Sequence, residues 1–315
     1  MQILIMGAGA MGSAVGGFMA KAGHDVILVG RAEHMAAIRD HGLHITGIWG
    51  EHLVDRLTTR TDVAGLEPGS FDWILIAVKA YDTRDAISAV RHLVSDDTLV
   101  CSYQNGLGNA EAIADAVGWE RTVGARAIYG VRIPQPGHAE ITVIADPTAL
   151  GVYSPSTPPE RVKAMVAAMD AAGLPTVYTD KIATVLWGKV AYNSALNPLS
   201  ALLDVPYGTL LDTPHTRDVM RGVVSEFYEV GNAMNVSLEP DTPDQYIRLL
   251  FDVLIPPTAA HYASMREDLQ HNRRTEIDAL NGAICRFGEE RGVPCPVNGI
   301  LTRLVHAREH ALGVR

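Results

Sequence analysis

The stretch that most narrows the possible folds is MQILIMGAGAMGSAVGGFMAKAGHDVILVGR, residues 1–31. A short apolar run at 3–6 stops at Gly7-Ala8-Gly9-Ala10-Met11-Gly12. A small-residue helix over 13–22 follows, closed by Gly23, and a second apolar run ends at Val29-Gly30-Arg31. G-x-G-x-x-G directly after a strand and opening a helix, within a βαβ unit of about 30 residues, is a dinucleotide-binding signature. Gly7 permits the tight turn, Gly9 lets the backbone approach a pyrophosphate, and Gly12 lets helix and strand pack closely. The helix N-terminus offers N–H groups and the positive end of its dipole to the phosphates.

The rest of the first half repeats this alternation. Apolar runs at 26–29, 73–78 (WILIAV) and 98–102 predict strands, and 32–40 and 83–94 predict helices. Continuous apolar runs such as WILIAV mark strands buried on both faces of a parallel sheet. Strands near 122–127 and 141–144, a helix at 159–172 and a strand at 176–178 complete this half. From 182 onward the pattern is helical, at 182–203, 213–235, 242–252, 265–272, 276–291 and 298–312. The expected fold is therefore α/β: a Rossmann-type parallel-sheet domain over 1–180, then an all-helical domain over 181–315.

Composition limits the partners. The 315-residue chain has a formal net charge of −10, which argues against nucleic acid and against an anionic membrane surface. No apolar run is long enough to span a bilayer, and the first strand begins at residue 2 with no basic segment before it. Cys101, Cys285 and Cys295 fit no metal-binding spacing and suit a reducing compartment. His41, His44 and His52 lack a cluster of acidic ligands and read as surface histidines, so no metal is expected. A cytoplasmic location is expected.

The nucleotide's identity turns on the end of the second strand. An NAD site places an acid there, on the ribose 2′-hydroxyl. Here Asp25 lies at the wrong end, Glu33 comes two residues late, and Arg31 stands where a guanidinium can fork onto a 2′-phosphate. Lys79, just past WILIAV, adds a second positive charge. These residues favour NADP(H), although Arg31 also reads as a solvated surface arginine.

In the second half, Lys189, Asn193 and Asn197 recur every fourth residue in WGKVAYNSALNPLSAL. On a helix they form one stripe that drifts by about 40° per step. Two readings are open: a site for an anionic, carbonyl-bearing substrate, or a solvated polar face. Pro198 is expected to kink or end this helix after Asn197. Further on, Ser264 and Glu267 form the pattern of a capping box. Thr275 reads as the cap of a helix whose first turn holds Glu276. Gln104-Asn105-Gly106 follows a parallel strand, where ligands bind in open α/β sheets, and it also reads as a plain turn.

Together GAGAMG, Arg31, VKAYD at 78–82, QNG at 104–106, WGKVAYNSALNPLSAL and SMREDLQHNRRTEID through Asn281-Gly282 resemble the ketopantoate reductase family over essentially the whole chain. The resemblance implies NADPH-dependent reduction of a 2-keto acid, ketopantoate to pantoate, in pantothenate and coenzyme A biosynthesis. It implies Lys189 as general acid and Glu276 as the group that orients the substrate oxygens. Asn193, Asn197 and Ser264 would hold the carboxylate and hydroxyls, with Asn105 between nicotinamide and substrate. Gly7, Ala8, Gly9, Ala10, Met11, Gly12, Arg31, Lys79 and Asn105 would bind the cofactor. The chain departs from the family pattern at Arg274, where many members have proline, and across 124–151, where Arg126, Arg132 and His138 are unexpected. A reductase of another 2-keto acid, an opine-like dehydrogenase and a non-catalytic NADP(H)-binding regulator are the alternatives. A small-molecule keto acid is the expected partner, and a homodimer is compatible with this reading.

Overall fold

The apolar runs become strands in the computed structural model, which describes residues 1–314. In chain order the first part of the fold contains β1 (Gln2–Met6), α1 (Ala10–Lys21), β2 (Asp25–Val29), α2 (Ala32–His41), β3 (Leu43–Gly47), β4 (His52–Val54), β5 (Thr58–Arg60) and β6 (Trp73–Ile76). It continues with α3 (Thr83–Val90), β7 (Leu99–Ser102), α4 (Asn109–Val117), β8 (Thr122–Gln135), β9 (His138–Val152), α5 (Pro159–Ala171) and β10 (Thr176–Thr179). Every residue of β6 and β7 is buried, as continuous apolar runs require.

Strands β5, β2, β1, β6, β7 and β8 lie side by side in that order, all parallel. This is the 3-2-1-4-5-6 order of a doubly wound nucleotide-binding sheet. Beyond β8 the sheet is mixed. β9 runs antiparallel to β8, β3 and β10 lie parallel to β9, and β4 closes the edge antiparallel to β3.

The short strands β3, β4 and β5 are absent from the sequence-based reading, because LHITG, HLV and TTR are too brief and too polar to stand out. β8 and β9 are 14 and 15 residues long, well beyond the expected segments. Four register irregularities between them break the alternation that would have revealed their length. The unexpected side chains of 124–151 have partners on neighbouring strands. Arg126 pairs with Asp146, Arg132 Nε donates to Glu140 at 2.7 Å, and His138 Nε2 lies 2.7 Å from Thr46 Oγ1.

The second part contains α6 (Ile182–Leu203), α7 (Pro214–Ala233), α8 (Pro243–Leu249), α9 (Ser264–Gln270), α10 (Asn281–Arg291) and α11 (Pro296–Ala311). Two of these helices are shorter than expected. α8 gives way to a wide turn at Leu250–Leu254, and α10 is preceded by a separate 3-10 turn at Ile277–Ala279. Trp187 of α6 is the centre of an aromatic cluster, with Phe227 and Phe287 at ring-centroid distances of 5.4 and 6.0 Å.

By internal packing the chain divides into two units. One comprises Met1–Gln104 and Asn109–Ile182; the other runs from Ala183 onward and includes Asn105–Gly108. Leu107 is buried in the helical unit's core, and its N–H donates to the Ala279 carbonyl at 2.8 Å. Gly106 permits this approach. Its φ is +90°, and a Cβ there would lie 2.5 Å from the Ala279 carbonyl oxygen.

Pro198 does not end α6: the helix runs on to Leu203. Proline at 198 leaves the carbonyl of Ser194 without its helical donor. Asn281 Nδ2 supplies a substitute, donating to that carbonyl at 3.1 Å and also to Asn298 Oδ1 at 2.9 Å. Asn298 in turn donates from its own Nδ2 to the buried Glu226 at 2.7 Å. Both asparagines are wholly buried, and the Nδ2 group of each finds an acceptor within the protein.

Candidate active site

The glycine loop joins β1 to α1. The N–H groups of Gly7 and Ala8 both donate to the Val29 carbonyl, at 3.0 and 2.8 Å, and so tie the loop to the end of β2. The three glycines meet different surroundings. Gly7 has a φ of +109°, and a Cβ on it would lie 2.5 Å from the Val78 nitrogen. A Cβ on Gly12 would lie 2.2 Å from the Gly7 carbonyl oxygen, whereas one on Gly9 would meet nothing within 4 Å. Gly9 is thus an open floor over the start of α1. There Ala10, Met11 and Gly12 have N–H groups that no preceding helical carbonyl can accept. This cradle fits a pyrophosphate.

Arg31 follows Gly30 at the end of β2, is exposed, and is the N-cap residue of α2. Lys79 is half-buried beyond β6, immediately before a 3-10 turn at Ala80–Asp82. Both cations therefore follow carboxyl ends of parallel strands, where nucleotides bind in this architecture. From behind, the buried His34 of α2 supports the loop. Its Nδ1 accepts the Gly137 N–H at 3.0 Å, which places the ring proton on Nε2, 3.0 Å from Ser13 Oγ. Ser13 Oγ donates to the Ala8 carbonyl at 3.4 Å. Burial, and then the nearby Arg31, hold the His34 pKa below its ordinary value.

In the helical unit, Lys189, Asn193 and Asn197 lie on the long helix α6. Lys189 is half-buried, and its ammonium donates to Asn105 Oδ1 at 2.8 Å. The structure thus brings together two of the predicted residues that stand 84 positions apart. Asn193 is half-buried, while Asn197 is buried and accepts the Tyr207 hydroxyl on Oδ1 at 2.7 Å. Burial, and then Tyr192, push the Tyr207 pKa well up, so the phenol stays a donor. That bond fixes the amide with Oδ1 toward Tyr207. Tyr207, itself 4% exposed, opens a short 3-10 turn at Tyr207–Leu211, which carries no periodic signal in the sequence.

Two capping expectations are corrected. Ala263, not Ser264, is the N-cap of α9, and no capping box forms. Ala263 is fully buried, with its N–H donating to Ser200 Oγ at 3.3 Å and its carbonyl accepting the Arg266 N–H at 3.0 Å. The helix therefore starts one residue earlier and presents Ser264, which is exposed, on its first turn. Glu276 is not in the first turn of an α-helix. It is the residue before the 3-10 turn Ile277–Ala279, half-buried, and α10 begins only at Asn281. Thr275 is wholly buried, and its Oγ1 receives the Ile277 N–H at a long 3.4 Å.

Two of the three solitary histidines have ordinary structural partners. His44 Nε2 lies 3.0 Å from Glu51, and His52 Nε2 lies 2.9 Å from the Trp49 carbonyl. Among the described residues, no helix is long and apolar enough to cross a membrane.

The chain is similar to known proteins over nearly its whole length. The family profile "Ketopantoate reductase PanE/ApbA" matches residues 3–155, and "Ketopantoate reductase PanE/ApbA C terminal" matches 181–309. A 2-dehydropantoate 2-reductase of Aquifex aeolicus is 37% identical over 310 residues, covering 98% of this chain and 97% of the relative. A PanE/ApbA family ketopantoate reductase from Ralstonia eutropha JMP134 superposes with a TM-score of 0.87 at 32% identity, covering 99% of this chain and 100% of the other. A D-mandelate dehydrogenase solved with NADH and anilino(oxo)acetate also gives 0.87, at 28% identity and full coverage of both chains.

Proposed function

Because the chain belongs to the ketopantoate reductase family, we propose that it is an NADPH-dependent oxidoreductase that reduces 2-dehydropantoate to pantoate. Residues 1–180 form the dinucleotide domain and 181–315 the substrate domain, with Asn105–Gly108 serving the latter. NADPH, when bound, supplies the hydride. The open floor at Gly9 and the N–H groups of Ala10, Met11 and Gly12 receive its pyrophosphate, and Arg31 and Lys79 receive its 2′-phosphate.

The observation that carries the catalytic reading is the Lys189 ammonium held on Asn105 at 2.8 Å, on a helix that also bears Asn193 and Asn197. Reduction of a ketone builds negative charge on oxygen. A fixed ammonium aimed at that oxygen stabilises the transition state more than the ground state, and it can donate the proton. With Oδ1 of Asn197 taken by Tyr207, its Nδ2 is left as a donor suited to a carboxylate. Asn193 and Ser264 add polar groups for the carboxylate and hydroxyl, and Glu276 orients the substrate's oxygen functions. A cytoplasmic location and a homodimer fit this reading; light scattering of the eluted protein tests the latter.

Steady-state assays with NADPH and NADH against ketopantoate test the assignment directly. NADPH should be strongly preferred, and Arg31→Asp should weaken NADPH while leaving NADH unchanged or improved. Equal use of both cofactors by the unmodified protein would refute the 2′-phosphate assignment. The likeness to the D-mandelate dehydrogenase structure favours a second reading, an aromatic 2-keto acid. Higher kcat/KM for an aryl keto acid than for ketopantoate would establish it.

A further inference from the structure

Glu309 lies near the end of α11 and is wholly buried. One of its oxygens, Oε1, accepts both the backbone N–H and the Oγ1 hydroxyl of Thr275, each at 2.7 Å. Thr275 and Ile277 are each 0% exposed, and Glu276 stands between them with its backbone at φ −96°, ψ 23°. The turn that follows is only three residues long. No helical ladder therefore sets the direction in which Glu276 leaves the chain. The clamp on Thr275 sets it from one side and the buried Ile277 from the other.

Burying a carboxyl group is costly, and an apolar side chain of similar volume at such a place is often neutral or stabilising. Glu309 therefore makes poor sense as filler and good sense as an orienting group. The same helix grips the segment twice more. His306 Nε2 lies 2.8 Å from Asp278 Oδ1, and Asn298 Oδ1 accepts Asn281 Nδ2 at 2.9 Å. These contacts hold 275–281 along the length of α11, and the one nearest Glu276 is made by Glu309.

We propose that Glu309 is a positioning residue for Glu276: through Thr275 it aims the Glu276 carboxyl at the substrate's oxygens. The inference rests on the reading of Glu276 given above.

The test is a double-mutant cycle between Glu309→Ala and Glu276→Ala, read as kcat/KM for ketopantoate, with NADPH affinity and thermal unfolding measured alongside. Misplacing a reacting-site group by about 1 Å costs on the order of 10²-fold, so E309A should lose about that much kcat/KM. NADPH affinity should stay unchanged. Glu309→Gln, which can still present an oxygen to Thr275, should recover most of the activity. In an E276A background, E309A should cost almost nothing more, because the group it aims is gone. Losses that multiply in the double variant, or an E309A loss shared equally by NADPH affinity, would overturn the inference while leaving the Glu276 assignment standing. An E276A enzyme with normal kcat/KM would overturn that assignment and this inference with it. Should E309A fail to fold, Thr275→Val removes one of the two bonds at nearly constant volume, and the same cycle is run with it.

Discussion

An alanine methyl at position 9 projects into open space, whereas one at position 12 is driven 2.2 Å from a backbone oxygen. Gly12→Ala should therefore lower stability by about 1–3 kcal/mol, the usual cost of overpacking, visible in a denaturant melt. Gly9→Ala should melt like the parent yet bind NADPH more weakly, since the methyl would enter the place proposed for the pyrophosphate. A G9A protein with unchanged cofactor affinity would mean that the phosphates lie elsewhere. At the proposed general acid, Lys189→Ala should keep the fold and NADPH binding and lose about 10²–10⁴-fold in kcat, the range for removing such a group. Turnover within a few-fold of the parent would show that another group supplies the proton. These glycines, Arg31 and the lysine–asparagine stripe were legible in the sequence because spacing alone defines them. Tyr207 and Glu309 were not. Tyr207 begins a short 3-10 turn with no pattern of its own, and helical periodicity around Glu309 does not reveal its partner Thr275, 34 residues away.

Among the elements, α6 shows most clearly where sequence reading succeeds and where it fails. Its limits, 182–203, follow from apolar periodicity and match the structure. Its continuity through Pro198 does not follow, since the missing donor is replaced by Asn281, 87 residues from the Ser194 carbonyl it serves. Asn281→Ala should strand that buried carbonyl at a cost of about 1–3 kcal/mol and loosen the turn that carries Asn193 and Asn197. Both a lower melting temperature and a raised KM for the keto acid are expected. An unchanged melt would show that α6 bridges the proline unaided. The short strands β3 to β5 and the long β8–β9 ladder were hidden for related reasons. Three to five polar residues give too little pattern, and bulges erase it.

At the scale of the molecule, three histidines, of which only His34 is buried, couple folding to pH. Loss of solvation holds His34, His24 and His261 below the ordinary histidine value of 6.5, with the N-terminal amine adding to the effect at His24 and Arg31 at His34. The unfolded chain therefore binds more protons than the native one as pH falls below 6.5, so this stability is present above that value and is lost on acidification. The melting temperature should fall between pH 7.5 and about 5.5. His34→Gln should flatten part of that slope, because protonating His34 would cost it the bond it accepts from Gly137. A melting temperature that rises on acidification would contradict the assignment. The broad division into a sheet part and a helical part could be read from the change of periodicity near residue 180. The excursion of Asn105–Gly108 into the helical unit could not, since four residues have no period. That excursion makes the helical unit discontinuous in the gene. A fragment cut at the apparent boundary would lack the leucine that fills its core and the amide that holds its lysine, so it should express as an incomplete, aggregation-prone piece. Transplanting this unit onto another nucleotide-binding scaffold would require carrying the loop across as well, as a graft with two splice sites rather than one.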